Sequence, residues 1–325
     1  MGLALLAQII TFVVLISFFS EHTGFFFWSC IALSILAALA ILGSRSEPGY
    51  KIVWLMVVMI FPVFGGLIYL MVGGGRVPRR TVRRMQDIAK KSALVLAEDF
   101  KAEDLLVLGE DAAGQARYLE NYAACPVLGF TETEYFALGD LAMPRILEDL
   151  ERAKRYIFLE YFIIEPGAFW DSILDILERK AAQGVEVRLI YDDMGCMYTL
   201  PQSYNEQMAA RGIQCRVFNR FVPMISLRLN NRDHRKFLVV DGKVAYTGGI
   251  NLADEYVNQK VRFGHWKDSA IRMEGDAAWS VTVMFLSMWD HICSWEEDFS
   301  RFRPPPFPVK PWTGYVQPYT DTPLD

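Results

Sequence analysis

Three stretches without a single charged side chain stand within the first 75 residues: 3–19, 25–42 and 52–72. Each runs for about 17 to 21 residues, which at about 1.5 Å per helical residue approaches the thickness of a bilayer's hydrocarbon layer. No polar face recurs in them with a helical period, so the core helix of a soluble domain fits badly. A secretory signal fits no better, because a basic leading region is missing. They read as membrane spans, two or three in number. Arg76, Arg79, Arg80, Arg83, Arg84, Lys90 and Lys91 follow the third stretch, against Arg45 and Lys51 before it. That asymmetry predicts a multi-pass cell-membrane protein whose remainder faces the cytoplasm. The same cluster suffices as a topological stop, and it would also attract anionic headgroups.

Composition narrows the function classes. Over 325 residues the net charge is −5, and the basic residues gather in one collar beside the apolar stretches. No global basic patch exists, which argues against nucleic acid as a partner. Cys30, Cys125, Cys196, Cys215 and Cys293 are scattered without a C-x-x-C pair, so neither a zinc site nor a disulfide framework is expected. No cofactor is implied.

Along the chain, residues 1–75 form the expected membrane anchor and residues 76–125 a basic juxtamembrane and linker region with a surface helix over 90–104. Residues 126–302 form the expected catalytic half, and residues 303–325 a proline-rich linker with the start of a further strand. From residue 138 helix and strand signals alternate. Helices are predicted over 139–156, 167–183, 202–211 and 276–298; Gly184 and Gly212 close the middle two. The run YIFLEYFII, residues 156–164, reads as a strand buried on both faces. Further strands are predicted over 185–191, 213–218 and 267–273, with a hairpin turning at Asp241-Gly242. The fold class is α/β, a mixed sheet flanked by helices on both faces and preceded by transmembrane helices.

The hairpin segment reads DHRKFLVVDGKVAYTGGIN, residues 233–251. On a strand, residues two apart share a face, so His234 and Lys236 are expected side by side. An imidazole attacks phosphorus or delivers a proton, and a neighbouring ammonium neutralises a phosphate oxygen. Gly248 and Gly249 admit an oxygen close to the backbone, and Asn251 offers a side-chain donor. Each member alone has a plainer account: a solvated strand edge for His234 and Lys236, turn chemistry for Asp241, a bulge for the two glycines.

Jointly these residues spell H-x-K-x4-D-x6-G-G-x-N, which resembles the signature of the phospholipase D superfamily. The segments YIFLEYFII, ERKAAQGVEVRLIYDDMG, NLADEY and HWKDSAIRMEG, with KIVWLMVVMIFPVFGGLIYLMVGG before them, resemble the N-terminal catalytic half of bacterial cardiolipin synthases. The resemblance implies a phospholipase D-like half-domain and a metal-independent, two-step transfer. One histidine attacks the phosphorus of phosphatidylglycerol, a second protonates the departing glycerol, and another phosphatidylglycerol accepts the phosphatidyl group. It further implies His234 as nucleophile or acid, Lys236 and Asn251 as phosphate ligands, Asp241 as the motif carboxylate, and Asp268 as the carboxylate that holds the histidine ring.

His22, His265 and His291 do not begin a second such motif. Two arrangements would supply the second histidine: a further catalytic half in cis, or a second copy of the chain in trans. The strand-like residues after the prolines favour the first, and a missing half predicts an apolar, open face near His234. Competing activities are phospholipase D-type hydrolysis or transfer to another acceptor. A non-catalytic membrane protein that binds anionic lipid is the alternative outside enzymes.

Overall fold

The computed structural model describes residues 13, 23–44, 47–73, 79–96, 100–221, 232–293, 296–305 and 314–320. These fall into two compact units, one formed by the described residues up to Gly73 and the other by those from Arg79 onward.

In the first unit, helix α1 (Thr23–Gly43) is apolar throughout, and its Gly24–Gly43 segment is long and apolar enough to cross a membrane. It is the one such helix among the described residues. The expected span over 3–19 lies outside them. The expected span over 52–72 is not one continuous helix. Helix α2 (Pro48–Ile60) ends at Phe61, whose φ of −117° and ψ of 68° are non-helical. Pro62 follows directly, and a proline bars its predecessor from the helical region. After a turn come a short helix, α3 (Gly65–Ile68), and a π-helical turn, Tyr69–Gly73. Gly66 donates its N–H to Ser34 Oγ of α1 at 3.0 Å, and a Cβ there would strike the Ser34 backbone. Close helix contact through small residues is the usual device where the surroundings are apolar.

The second unit is built on a seven-stranded mixed sheet in the order β1-β7-β6-β5-β2-β3-β4. Its strands are β1 (Thr131–Phe136), β2 (Tyr156–Tyr161), β3 (Glu186–Asp192), β4 (Gln214–Phe218), β5 (Phe237–Val240), β6 (Val244–Gly248) and β7 (Ala270–Gly275). Strand β2 pairs in parallel with β3 and antiparallel with β5. All six of its residues are buried, as a central strand requires. β1 was not expected: TETEYF is mostly exposed and pairs only with β7, so an apolar run never marks it.

Because strand side chains alternate, the sheet feeds two cores. Ile157, Leu159, Tyr161, Leu238 and Val240 face one core, built with α6 (Gly139–Glu151), α7 (Ala168–Ala182) and α8 (Tyr204–Ala210). Tyr156, Phe158, Phe237 and Val239 face the other, against α9 (Asp276–Cys293) and the 3-10 turn Phe299–Phe302. Phe158 stacks on Phe285 of α9 with ring centres 4.6 Å apart.

Helix α4 (Arg79–Val95) starts well before the expected surface helix over 90–104, where instead a 3-10 helix covers Ala102–Leu108, followed by α5 (Glu110–Ala123). One side of α4 docks on α9: Lys91 Nζ lies 2.6 Å from the buried Asp290 carboxylate, and Ser92 Oγ 2.8 Å from Ser287 Oγ. Arg80, Arg83 and Lys90 remain exposed on it. The residues after the prolines do pair, but as an isolated bridge. Val316 exchanges both backbone hydrogen bonds with Leu128, at 2.8 and 2.9 Å.

The Asp241-Gly242 turn has positive φ at both positions, 54° and 66°, as a type I′ hairpin requires. Asp241 does more than turn. Its carboxylate accepts the backbone N–H groups of Lys154, Arg155 and Tyr156 at 2.9, 2.7 and 2.9 Å. It thereby caps the entry to β2 from a hairpin more than eighty residues away. Replacing Asp241 with Ala strands three N–H groups and is expected to destabilise this unit by about 2–4 kcal/mol. A denaturant midpoint unchanged from wild type would contradict that role.

Candidate active site

Antiparallel pairing brings several strand ends to one edge of the sheet. The N-terminal end of β5 lies beside the C-terminal ends of β2 and β6, and β6 in turn meets the N-terminal end of β7. His234, Lys236, Phe162, Gly248, Gly249, Asn251 and Asp268 therefore gather there. Asp241 lies at the opposite edge, about 16 Å along the chain from Lys236 at about 3.3 Å per residue. The expectation of Asp241 as a site carboxylate is corrected: its three backbone hydrogen bonds occupy it at the far turn.

The strand ladder begins at Phe237, so the pleat of a regular strand is not what aligns His234 with Lys236. They meet across Phe162 instead. The Phe162 and His234 rings have centroids 4.8 Å apart, and Lys236 Nζ lies 5.3 Å from the Phe162 ring centre. Lys236 also donates to the His234 carbonyl at 2.5 Å. Phe162 is a site residue that the sequence hid, since an aromatic within a buried apolar run looks like core.

Lys236 is 5% exposed and borders a small cavity lined by Tyr161, Phe169, Tyr246, Thr247, Gly248 and Ile250. Burial pushes its ammonium down to about 8, against the opposing attraction of Asp233 and Asp268. His234 is more open, and burial followed by the Lys236 charge holds its imidazole below the ordinary 6.5, with Asp233 and Asp192 pulling the other way. The ring is thus neutral at neutral pH beside a cation awaiting an anion.

The remaining partners fill in the floor. A Cβ at Gly249 would collide with the Asp268 carboxylate, and one at Gly248, where φ is 158°, with the Ser269 backbone. Both glycines are there for close approach. Asp268 accepts the Ser269 N–H at 2.9 Å and faces Lys236; among the described residues no hydrogen bond joins it to His234. Asn251 is buried and accepts the Ile163 N–H at 2.9 Å, which fixes its amide at this edge. Asp192, at the end of β3, accepts the Asp233 N–H at 3.0 Å and those of Met194 and Gly195 at 2.9 and 3.0 Å, anchoring the approach to His234. Tyr198, Val261 and Phe263 are highly exposed on the loops at this edge, Tyr198 at 94%.

Residues 146–274 match the family described as cardiolipin synthase, PLD-like domain, and residues 32–74 the one described as phospholipase D-nuclease N-terminal. An uncharacterized protein of Streptococcus mutans serotype c is 39% identical over 89% of this chain and 63% of its own length. A cardiolipin synthase of Geobacillus kaustophilus is 30% identical over 87% of this chain and 57% of its own length. The chain spans about three fifths of these relatives. Among solved structures, a phosphatidylserine synthase of Haemophilus influenzae superposes with a TM-score of 0.43 at 15% identity, over 58% of this chain and 45% of that one.

The electrostatics are testable without turnover. Replacing Lys236 with Met removes a like charge beside His234, so the imidazole titration midpoint, followed by NMR, should rise toward 6.5. A midpoint that stays put or falls would show that the two groups do not sense one another.

Proposed function

Through residues 146–274 this chain belongs to the cardiolipin synthase, phospholipase D-like domain family, and on that footing we propose that it transfers a phosphatidyl group between two phosphatidylglycerol molecules, with His234 as nucleophile. The observation that carries the reading is the meeting of His234 and Lys236 across Phe162, at the same edge as Gly248, Gly249 and Asn251. A neutral imidazole is the form that can attack, and the depressed titration of His234 supports the nucleophile role over the acid role.

In the first step a His234 ring nitrogen bonds to phosphorus as the bond from phosphorus to the glycerol oxygen breaks. A second histidine gives that oxygen its proton, and glycerol leaves. In the second step a hydroxyl of another phosphatidylglycerol attacks the phosphohistidine, returns a proton to the second histidine and releases His234, giving cardiolipin. Lys236 and the Asn251 amide hold the phosphate oxygens, whose negative charge grows during attack. The second histidine comes from a further catalytic half, in keeping with the greater length of the relatives, or from a second copy.

Membrane lipid is the natural substrate class for a chain with an apolar helix such as α1, and exposed Tyr198, Val261 and Phe263, on loops that follow β3 and β6, suit an apolar neighbour. We place the catalytic unit on the cytoplasmic side, on the strength of the arginines that follow residue 75.

Phosphatidylglycerol vesicles supply the test. Cardiolipin and glycerol are the expected products; phosphatidate without cardiolipin would establish hydrolysis instead. Changing His234 to Ala should lower turnover by at least about 10³-fold, and unchanged turnover would refute its role. The pH profile follows from the signs above. Activity should rise as His234 loses its proton, below 6.5, and kcat/KM should fall above about 8 as Lys236 loses its own. Bound phosphate favours the ammonium, so the falling limb of kcat should lie at higher pH than that of kcat/KM. A profile flat from pH 5 to 9 would exclude both groups.

A further inference from the structure

Arg235 separates His234 from Lys236 in the chain and points to the other face of the sheet. Lys236 borders the cavity with Tyr161 and Ile250 on one side. The Arg235 guanidinium lies 5.6 Å from the Phe237 ring centre, on the side of the α9 core. There it meets three partners from three parts of the chain. Its Nε donates to Asp233 Oδ1 at 2.9 Å and its Nη2 to Asp233 Oδ2 at 3.3 Å. Nη2 also contacts the Glu160 carboxyl of β2. Nη1 donates to Thr320 Oγ1 at 3.2 Å.

The cluster's carboxyl groups are buried: Glu160 is 1% exposed and Asp233 2%. Burial raises the Glu160 carboxyl, outweighing Arg235, and Asp233 raises it further. Burial opposes Asp233 too, but Arg235, through its charge and its hydrogen bonds, brings it below its ordinary value. Burial thus favours the neutral form of Glu160, whereas the Arg235 guanidinium favours the charged form of Asp233. A buried pair of this kind adds little net stability but strongly fixes geometry when all its partners are in place.

Thr320 is held by its own segment. Val316 pairs with Leu128, Gln317 Nε2 donates to the carbonyls of Ala116 and Cys125 at 3.1 and 2.9 Å, and Tyr315 packs edge-on against Phe100. Residues 314–320 thus run as a strap along Phe100, Ala116, Cys125 and Leu128 and bring Thr320 to the guanidinium.

We propose that Arg235 is a positioning residue for the transfer proposed above: its fork, clamped by Asp233, Glu160 and Thr320, fixes the backbone between His234 and Lys236 and so holds both against Phe162, and the segment 314–320 completes the clamp. Backbone pinned through the Arg235 side chain leaves its two chain neighbours, His234 and Lys236, little freedom to turn away.

The substitution Arg235→Lys keeps the charge and loses the fork. The full chain in detergent, labelled at histidine and assigned with the H234A variant, reports the ring directly. If the clamp positions His234, R235K lets the ring move off Phe162 and Lys236, and its titration midpoint rises toward 6.5. Transfer should fall about tenfold or more in kcat, with KM within about twofold. Thr320→Val, which removes one hydroxyl and no charge, should shift the midpoint in the same direction by less; it decides the matter if R235K fails to fold. Midpoints within about 0.1 unit of wild type in the folded variants would overturn the proposal. The titration needs no turnover, so a parent chain without transferase activity would sink the proposed function and still leave the clamp tested.

Discussion

Strand β2 changes partner type across its own width, parallel to β3 and antiparallel to β5, and the site exists because of that change. In an all-parallel sheet the ends of β2 and the start of β5 would lie at opposite edges. Here the chain leaving β2 at Phe162, the chain entering β5 at His234 and the chain leaving β6 at Gly248 reach one edge together. The Asp241 cap at the other edge fixes the register of the same two strands by binding the entry to β2. Asp241 thus belongs to the motif for a mechanical reason, one strand length away from the residues with which its spacing groups it.

The candidate site's edge is electrostatically tense by construction. Burial lowers the proton affinity of both His234 and Lys236, the Lys236 charge lowers that of His234 further, and among the described residues no hydrogen-bonded carboxylate relieves His234 directly. Asp233, Asp192 and Asp268 stand near enough to moderate the field without neutralising it. Such a site favours an anion with two basic groups to meet, which is the charge pattern of a phosphodiester. Arg235, by contrast, has the Asp233 and Glu160 carboxyl groups directly beside it.

Much of this was legible in the sequence, and the failures have physical causes. YIFLEYFII announced a central strand, because burial on both faces removes every polar position. The Asp-Gly pair announced the hairpin through its positive φ. By contrast TETEYF, an edge strand with an exposed middle, carries no apolar pattern. Pro62 and the glycines after it were visible, yet the apolar run across them suggested a straight span; local backbone chemistry won. The roles of Asp241 and Phe162 depend on partners 70 to 90 residues distant. Spacing within a motif shows which residues travel together, and only the fold shows which ones touch.

The most direct test of the account is to look for the covalent step on His234. The full chain, mixed with radiolabelled phosphatidylglycerol and quenched in alkali or denaturant during turnover, is digested and its labelled peptide sequenced by mass spectrometry. The account predicts an acid-labile phosphatidyl adduct on the peptide containing His234, absent from the H234A variant. Label on another residue, or turnover to cardiolipin with no adduct on this peptide, would contradict it.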